Sequence, residues 1–139
     1  MDTAPPETAT RTKARDAGSA SVEAVIATPV LMLLVLAIIQ AGLILHANHM
    51  AQAAAHTAME AARAELATGG DGTAAAEASL ARNATGVLED PSVTVARGTE
   101  RVTVTVTGNA TRIIPLFDAP VEATVSGAVE HIEPLEGGD

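Results

Sequence analysis

Residues 24–45, AVIATPVLMLLVLAIIQAGLIL, run for 22 positions without a formal charge. At a helical rise of about 1.5 Å per residue such a run reaches about 33 Å, enough to cross the hydrocarbon layer of a bilayer. No other stretch of the 139 residues restricts the fold so strongly. A cleaved secretory signal is the competing reading. Its apolar region is shorter, about 7–15 residues, and is followed closely by a small-x-small cleavage site. The sequence after Leu45, HANHMAQAAA, supplies no convincing one near the apolar end.

Charge is distributed unevenly around this run. Arg11, Lys13 and Arg15 precede it. No Lys or Arg follows until Arg63, and beyond Leu45 there are five Arg, no Lys and thirteen Asp or Glu. Basic residues stay on the cytoplasmic side of a span. The expected protein is therefore a single-pass membrane protein with a cytoplasmic N-terminus and an extracytoplasmic C-terminal domain. The net charge of −9 argues against nucleic-acid binding, which needs a basic footprint. Cysteine is absent, so disulfides and thiol catalysis are excluded.

Before the run, residues 1–18 read as a disordered cytoplasmic leader, rich in Pro, Thr and Ala at its start and without apolar periodicity. Glu23 then stands directly against the span. A carboxylate at the bilayer centre costs roughly 2.5–3.5 kcal/mol, and less toward the interface. Glu23 is therefore either an ordinary edge charge or a charge kept for a partner. Pro29 removes one backbone hydrogen bond inside the helix and is expected to kink it. Thr28 offers a compensating bond to an earlier carbonyl.

A basic leader, Gly18, a glutamate five residues later and a long apolar helix together resemble a type IV prepilin signal. That resemblance implies a prepilin peptidase as a partner, cutting between Gly18 and Ser19. It also implies that Glu23 meets the new α-amino group of a neighbouring subunit and sets its register. Over residues 15–66 the likeness is narrower. GSASVEAVIATPVLMLLVLAIIQAGL, followed by AAAHTAMEAARA, is similar to TadE-like proteins, pseudopilin-type components of tight-adherence (Flp-type) pilus assembly. The chain departs from many of them in having Ala24 after the glutamate, and Gln40 and Leu43 late in the span. The resemblance implies a structural role among pilin-type subunits and an assembly platform, with the lipid bilayer of the bacterial cytoplasmic membrane as the further partner. No enzyme activity, cofactor or small-molecule substrate is expected, since the sequence carries no catalytic or cofactor motif and its acidic residues are scattered. The alternative is a signal-anchored extracytoplasmic binding domain unrelated to pili, with no processing after Gly18.

Residues 46–67 are dominated by Ala, the best helix former, and contain neither Pro nor Gly. One long helix is therefore expected over residues 19–67, with the span at 24–45. Ala47, Ala51 and Ala55, and Ala54, Ala58 and Ala62, form rows of small residues that permit close helix packing. His46, His49 and His56 share a helical face with Glu60. They lack a recognised zinc spacing and read as surface or subunit contacts, so no metal is assigned. ATGGDGT, residues 67–73, reads as a turn, with Thr73 capping a short helix over 74–86 and Asp90-Pro91 marking the break after it.

The period then changes to two. Val93 and Val95 share one face, Arg97-Gly98 turns, and RVTVTVT, residues 101–107, sends Val102, Val104 and Val106 inward. Residues 108–120 read as a long connection in which Ile113, Ile114, Leu116 and Phe117 pack as a lid on the core. Val121, Ala123, Val125 and Val129 give a third strand face, and residues 133–139 a mobile tail. The expected fold is α+β: a long N-terminal transmembrane helix continuing into a small pilin-like domain at 68–132, with a second short helix and a three-stranded antiparallel sheet. The valine faces need an apolar cover, and the outer half of the long helix is the available one. No phosphate loop, nucleophile elbow or zinc motif occurs.

Overall fold

A computed structural model describes residues 10–64 and 66–130. The leader's first nine residues and the expected mobile tail at 133–139 lie outside them. The architecture is α+β, with α1 (Thr10–Arg63), α2 (Gly69–Asn83), β1 (Leu88–Arg97), β2 (Arg101–Ala110) and β3 (Pro120–Ala128). The chain divides into two units, Met1–Ile38 and Ile39–Asp139. Within the described residues the first unit is helix throughout. The second holds the rest of α1, α2 and the sheet.

The sheet has order β1-β2-β3 and is antiparallel throughout. Val104 pairs with Val95 on one side and Val125 on the other, so the valines of all three strands share a face. Val102, Val104 and Val106 are completely buried. Their cover is α1, as expected: Ala47, Ala51, Ala54, Ala55, Ala58 and Ala62 have no exposed surface and join the valines in one core. Alanine's short side chain brings the helix backbone close to the sheet. The outward residues Glu122, Thr124 and Ser126 are exposed, as alternation requires.

Differences from the sequence reading occur at the ends of elements. α1 includes residues 10–18, where no Pro or Gly before Gly18 interrupts good helix formers. It stops at Arg63 rather than 67 because its last carbonyls are taken from outside. The Arg97 guanidinium donates to the Ala62 and Ala64 carbonyl oxygens at 2.7 and 3.0 Å. The Glu130 N–H donates to the Arg63 carbonyl oxygen at 3.0 Å, and the Arg63 and Glu130 side chains form an ion pair.

From Gly69 onward the expected glycine turn at 67–73 is instead the start of α2. Thr68, not Thr73, is the cap: its hydroxyl accepts from the Asp71 N–H, while the Asp71 carboxylate accepts from the Thr68 N–H at 2.7 Å. Such a reciprocal box satisfies amide donors that a helix start otherwise leaves open. Gly72 is needed for packing. A Cβ there would stand 2.9 Å from the Ala58 carbonyl oxygen and the Ala62 Cβ. Asp90-Pro91 does not break the chain between elements but forms a bulge inside β1, between Glu89 and Ser92. Asp90 has a φ of 47°, and β1 is an edge strand, where proline's missing donor is tolerated.

Candidate functional site: the apolar helix and its polar anchor

The sequence-derived site residues all fall on α1. Gly18 and Ser19 are helical in backbone. Glu23 is exposed. Pro29 sits inside the continuous helix, and the Thr28 hydroxyl donates to the Ala24 carbonyl oxygen at 2.7 Å, the backward bond expected of it. Helix geometry puts Glu23 one turn beyond Ser19, while Pro29 falls on another side.

Around these residues the helix offers bulky apolar side chains to its surroundings. Val25, Val30, Leu31, Met32, Leu33 and Leu34 are each more than half exposed. Large apolar surfaces of this extent are not left in water by soluble proteins. This is the only helix among the described residues that is long and apolar enough to cross a membrane. His46, His49, His56 and Glu60 are also exposed, and among the described residues no group of three His, Asp or Glu converges as a metal site.

Gln40 breaks the pattern. It lies within the uncharged run, yet is only 2% exposed. Its Oε1 accepts from the Ile113 N–H at 2.8 Å and from the Ile114 N–H at 3.4 Å, and its Nε2 donates to the Thr111 carbonyl oxygen at 3.2 Å. The amide thus holds the loop between β2 and β3 by three bonds. That arrangement corrects the expected lid. Ile113, Leu116 and Phe117 are exposed, Leu116 completely, and do not close the core. Arg112 and Asp118 flank the apolar loop and pair across it at 3.0 Å.

The role of Gln40 was not read from the sequence. A signal for it existed, because an amide in an apolar run must find partners or carry a desolvation cost. Which segment supplies them is a matter of tertiary structure. Arg97 was likewise read only as a turn residue, and its reach to the end of α1 has no local signature.

A family model described as TadE-like protein matches residues 18–63. This helical segment is similar to the TadE-like family. The TadE-like stretch begins at Gly18, takes in Ser19, Glu23, Pro29 and Gln40, and ends where α1 ends. The TadE-like family suggests a role associated with the Tad/Flp pilus. The sheet and α2 lie beyond the match. No curated protein and no solved structure matches the chain.

Proposed function

We propose that this protein is a membrane-anchored, TadE-like pseudopilin or minor pilin acting structurally in assembly of a Tad/Flp-type pilus or a related secretion apparatus. The observation that carries the reading is the family match over residues 18–63, which starts at the glycine of the processing motif and includes the apolar helix. Exposed bulky side chains over the span support anchoring in lipid. The sign of the flanking charges supports a cytoplasmic N-terminus and an extracytoplasmic sheet domain.

In this reading a prepilin peptidase cuts after Gly18 and leaves Ser19 as the new N-terminus. Glu23 is then the fifth residue. Its carboxylate is kept at the edge of the apolar run to pair with the α-amino group of an adjacent pilin-type subunit, where low dielectric strengthens the attraction. Neither step needs a cofactor or a catalytic residue of this chain.

Intact mass and N-terminal sequencing of the protein extracted from native membranes test the proposal. The expected product starts at Ser19 and retains the span. A product that keeps the leader would favour an unprocessed surface anchor, and one starting beyond Leu45 would overturn the anchored reading. Glu23→Ala is expected to leave insertion intact and to reduce assembly with partner subunits. Normal pilus formation by that variant would remove the registry role.

A further inference from the structure

The loop at residues 112–118 presents Ile113, Leu116 and Phe117 to the outside, although the sheet has a core they do not join. It is tied to α1 at Gln40. Gln40 lies five residues inside Leu45, the sheet-side end of the uncharged run. At helical rise that is about 7–8 Å within the run. If residues 24–45 span the bilayer, the segment bonded to Gln40 is held at the sheet-side margin of the hydrocarbon layer.

The chemistry of the loop suits that level. Its sequence is Arg-Ile-Ile-Pro-Leu-Phe-Asp. Backbone donors in lipid must be satisfied within the protein. Ile113 and Ile114 give theirs to Gln40, and Pro115 has none. Leu116 adopts a φ of 66°, an uncommon backbone state for a branched residue, and its side chain has no cover at all. The only charges, Arg112 and Asp118, sit at the neck of the loop and are paired. Phe117 is the sole aromatic residue of the chain. An uncovered apolar tip between paired charges, fastened to the margin of a span, has lipid as its fitting neighbour.

We infer that the 112–118 loop is a second membrane contact, a wedge whose Ile113, Leu116 and Phe117 enter the acyl chains at the sheet-side face of the bilayer while Gln40 holds it there. The inference rests on the anchored reading of residues 24–45. It adds that the sheet domain is docked on the lipid surface rather than tethered by the helix alone.

The chain contains no Trp, so single Trp substitutions report on environment. Full-length Phe117→Trp and Leu116→Trp are reconstituted in phosphatidylcholine vesicles without bromine or with acyl chains brominated near the headgroup or near the chain end, so that both the margin and the centre of the bilayer are probed. Leu34→Trp marks the span and Thr99→Trp the β1–β2 turn. Both loop variants are expected to show blue-shifted emission quenched by bromine, with Thr99→Trp neither shifted nor quenched. Leu116 touches no core residue, so its variant guards against a folding defect at Phe117. Quenching of Leu34→Trp without quenching of either loop variant would overturn the wedge and leave the anchor standing. A blue-shifted loop that bromine does not reach would put protein over it and overturn the proposal. If Leu34→Trp itself is unquenched, the anchored reading fails and the wedge fails with it.

Discussion

The two stretches of α1 treat side-chain size in opposite ways. Between Val22 and Ile39 the large apolar residues other than the half-buried Leu36 are exposed, Leu33 by 61% and Ile38 by 64%. Between Ala47 and Ala62 the fully buried residues are alanines. In a water-soluble helix the large side chains go inward, because burial stabilises in proportion to apolar area. Here, on the anchored reading, large side chains are kept where the surroundings are themselves apolar, and small ones are kept where a β-sheet approaches the helix backbone. On the anchored reading a single helix meets two surroundings, and its sequence changes both size class and polarity between them, since His49, Gln52, His56 and Glu60 take exposed positions on the second stretch.

Charge placed on the first stretch has the largest expected effect. Leu33→Arg should cost roughly 3 kcal/mol of membrane insertion, as for an arginine near the centre of a span. Carbonate extraction of membranes should move the variant into the soluble fraction, whereas Leu33→Ala stays with the membrane. Retention of Leu33→Arg in the membrane would show that this stretch does not meet hydrocarbon. The second stretch should respond to size instead. Ala55→Leu leaves insertion unchanged but forces a larger group between α1 and the sheet, at a cost of about 1–3 kcal/mol. Hydrogen-exchange protection of the Val102, Val104 and Val106 amides in detergent should fall in that variant and not in Leu33→Ala. Unchanged protection would mean that close approach is not what the alanines provide.

The span, the valine faces of the sheet and the alanine cover were legible because each is a repeat: an unbroken uncharged run, a period of two, and small residues every four positions. The α2 cap was also written locally, as Thr68-Gly-Gly-Asp71, but three glycines in seven residues pointed to a turn instead. Asp90-Pro91 misled in the same way, since a breaker on an edge strand produces a bulge and not an end. What could not be read were the long-range polar contacts. Gln40 lies 71 residues from Thr111, and Arg97 lies 35 from Ala62. A single glutamine in an apolar run states a need for partners but not their address. The exposed Ile113–Phe117 tip follows from this, because without the Gln40 tether the same residues look like part of a core.

The smallest effect belongs to the cap joining the two helices, which sits outside both stretches. Thr68 donates through its backbone N–H and its hydroxyl to the Asp71 carboxylate. These bonds favour the charged form and hold the Asp71 pKa below its usual 3.8, the backbone bond contributing most. The sign follows directly. A carboxylate whose folded pKa is depressed stabilises the fold above its ordinary value and loses that contribution as pH falls through the depressed one. Thr68→Ala, which removes a helix N-cap, should cost about 0.5–2 kcal/mol at neutral pH. Thermal unfolding of the full chain in detergent should show Asp71→Ala less stable than the wild type at pH 7, with the gap closing below about pH 4, where an ordinary carboxylate begins to protonate. Asp71 is fully solvated, so added salt should shrink the gap as well. A gap that persists unchanged into acid would mean that the cap acts through shape alone, and that α2 is held by Gly72 and its approach to α1 rather than by charge at its first turn.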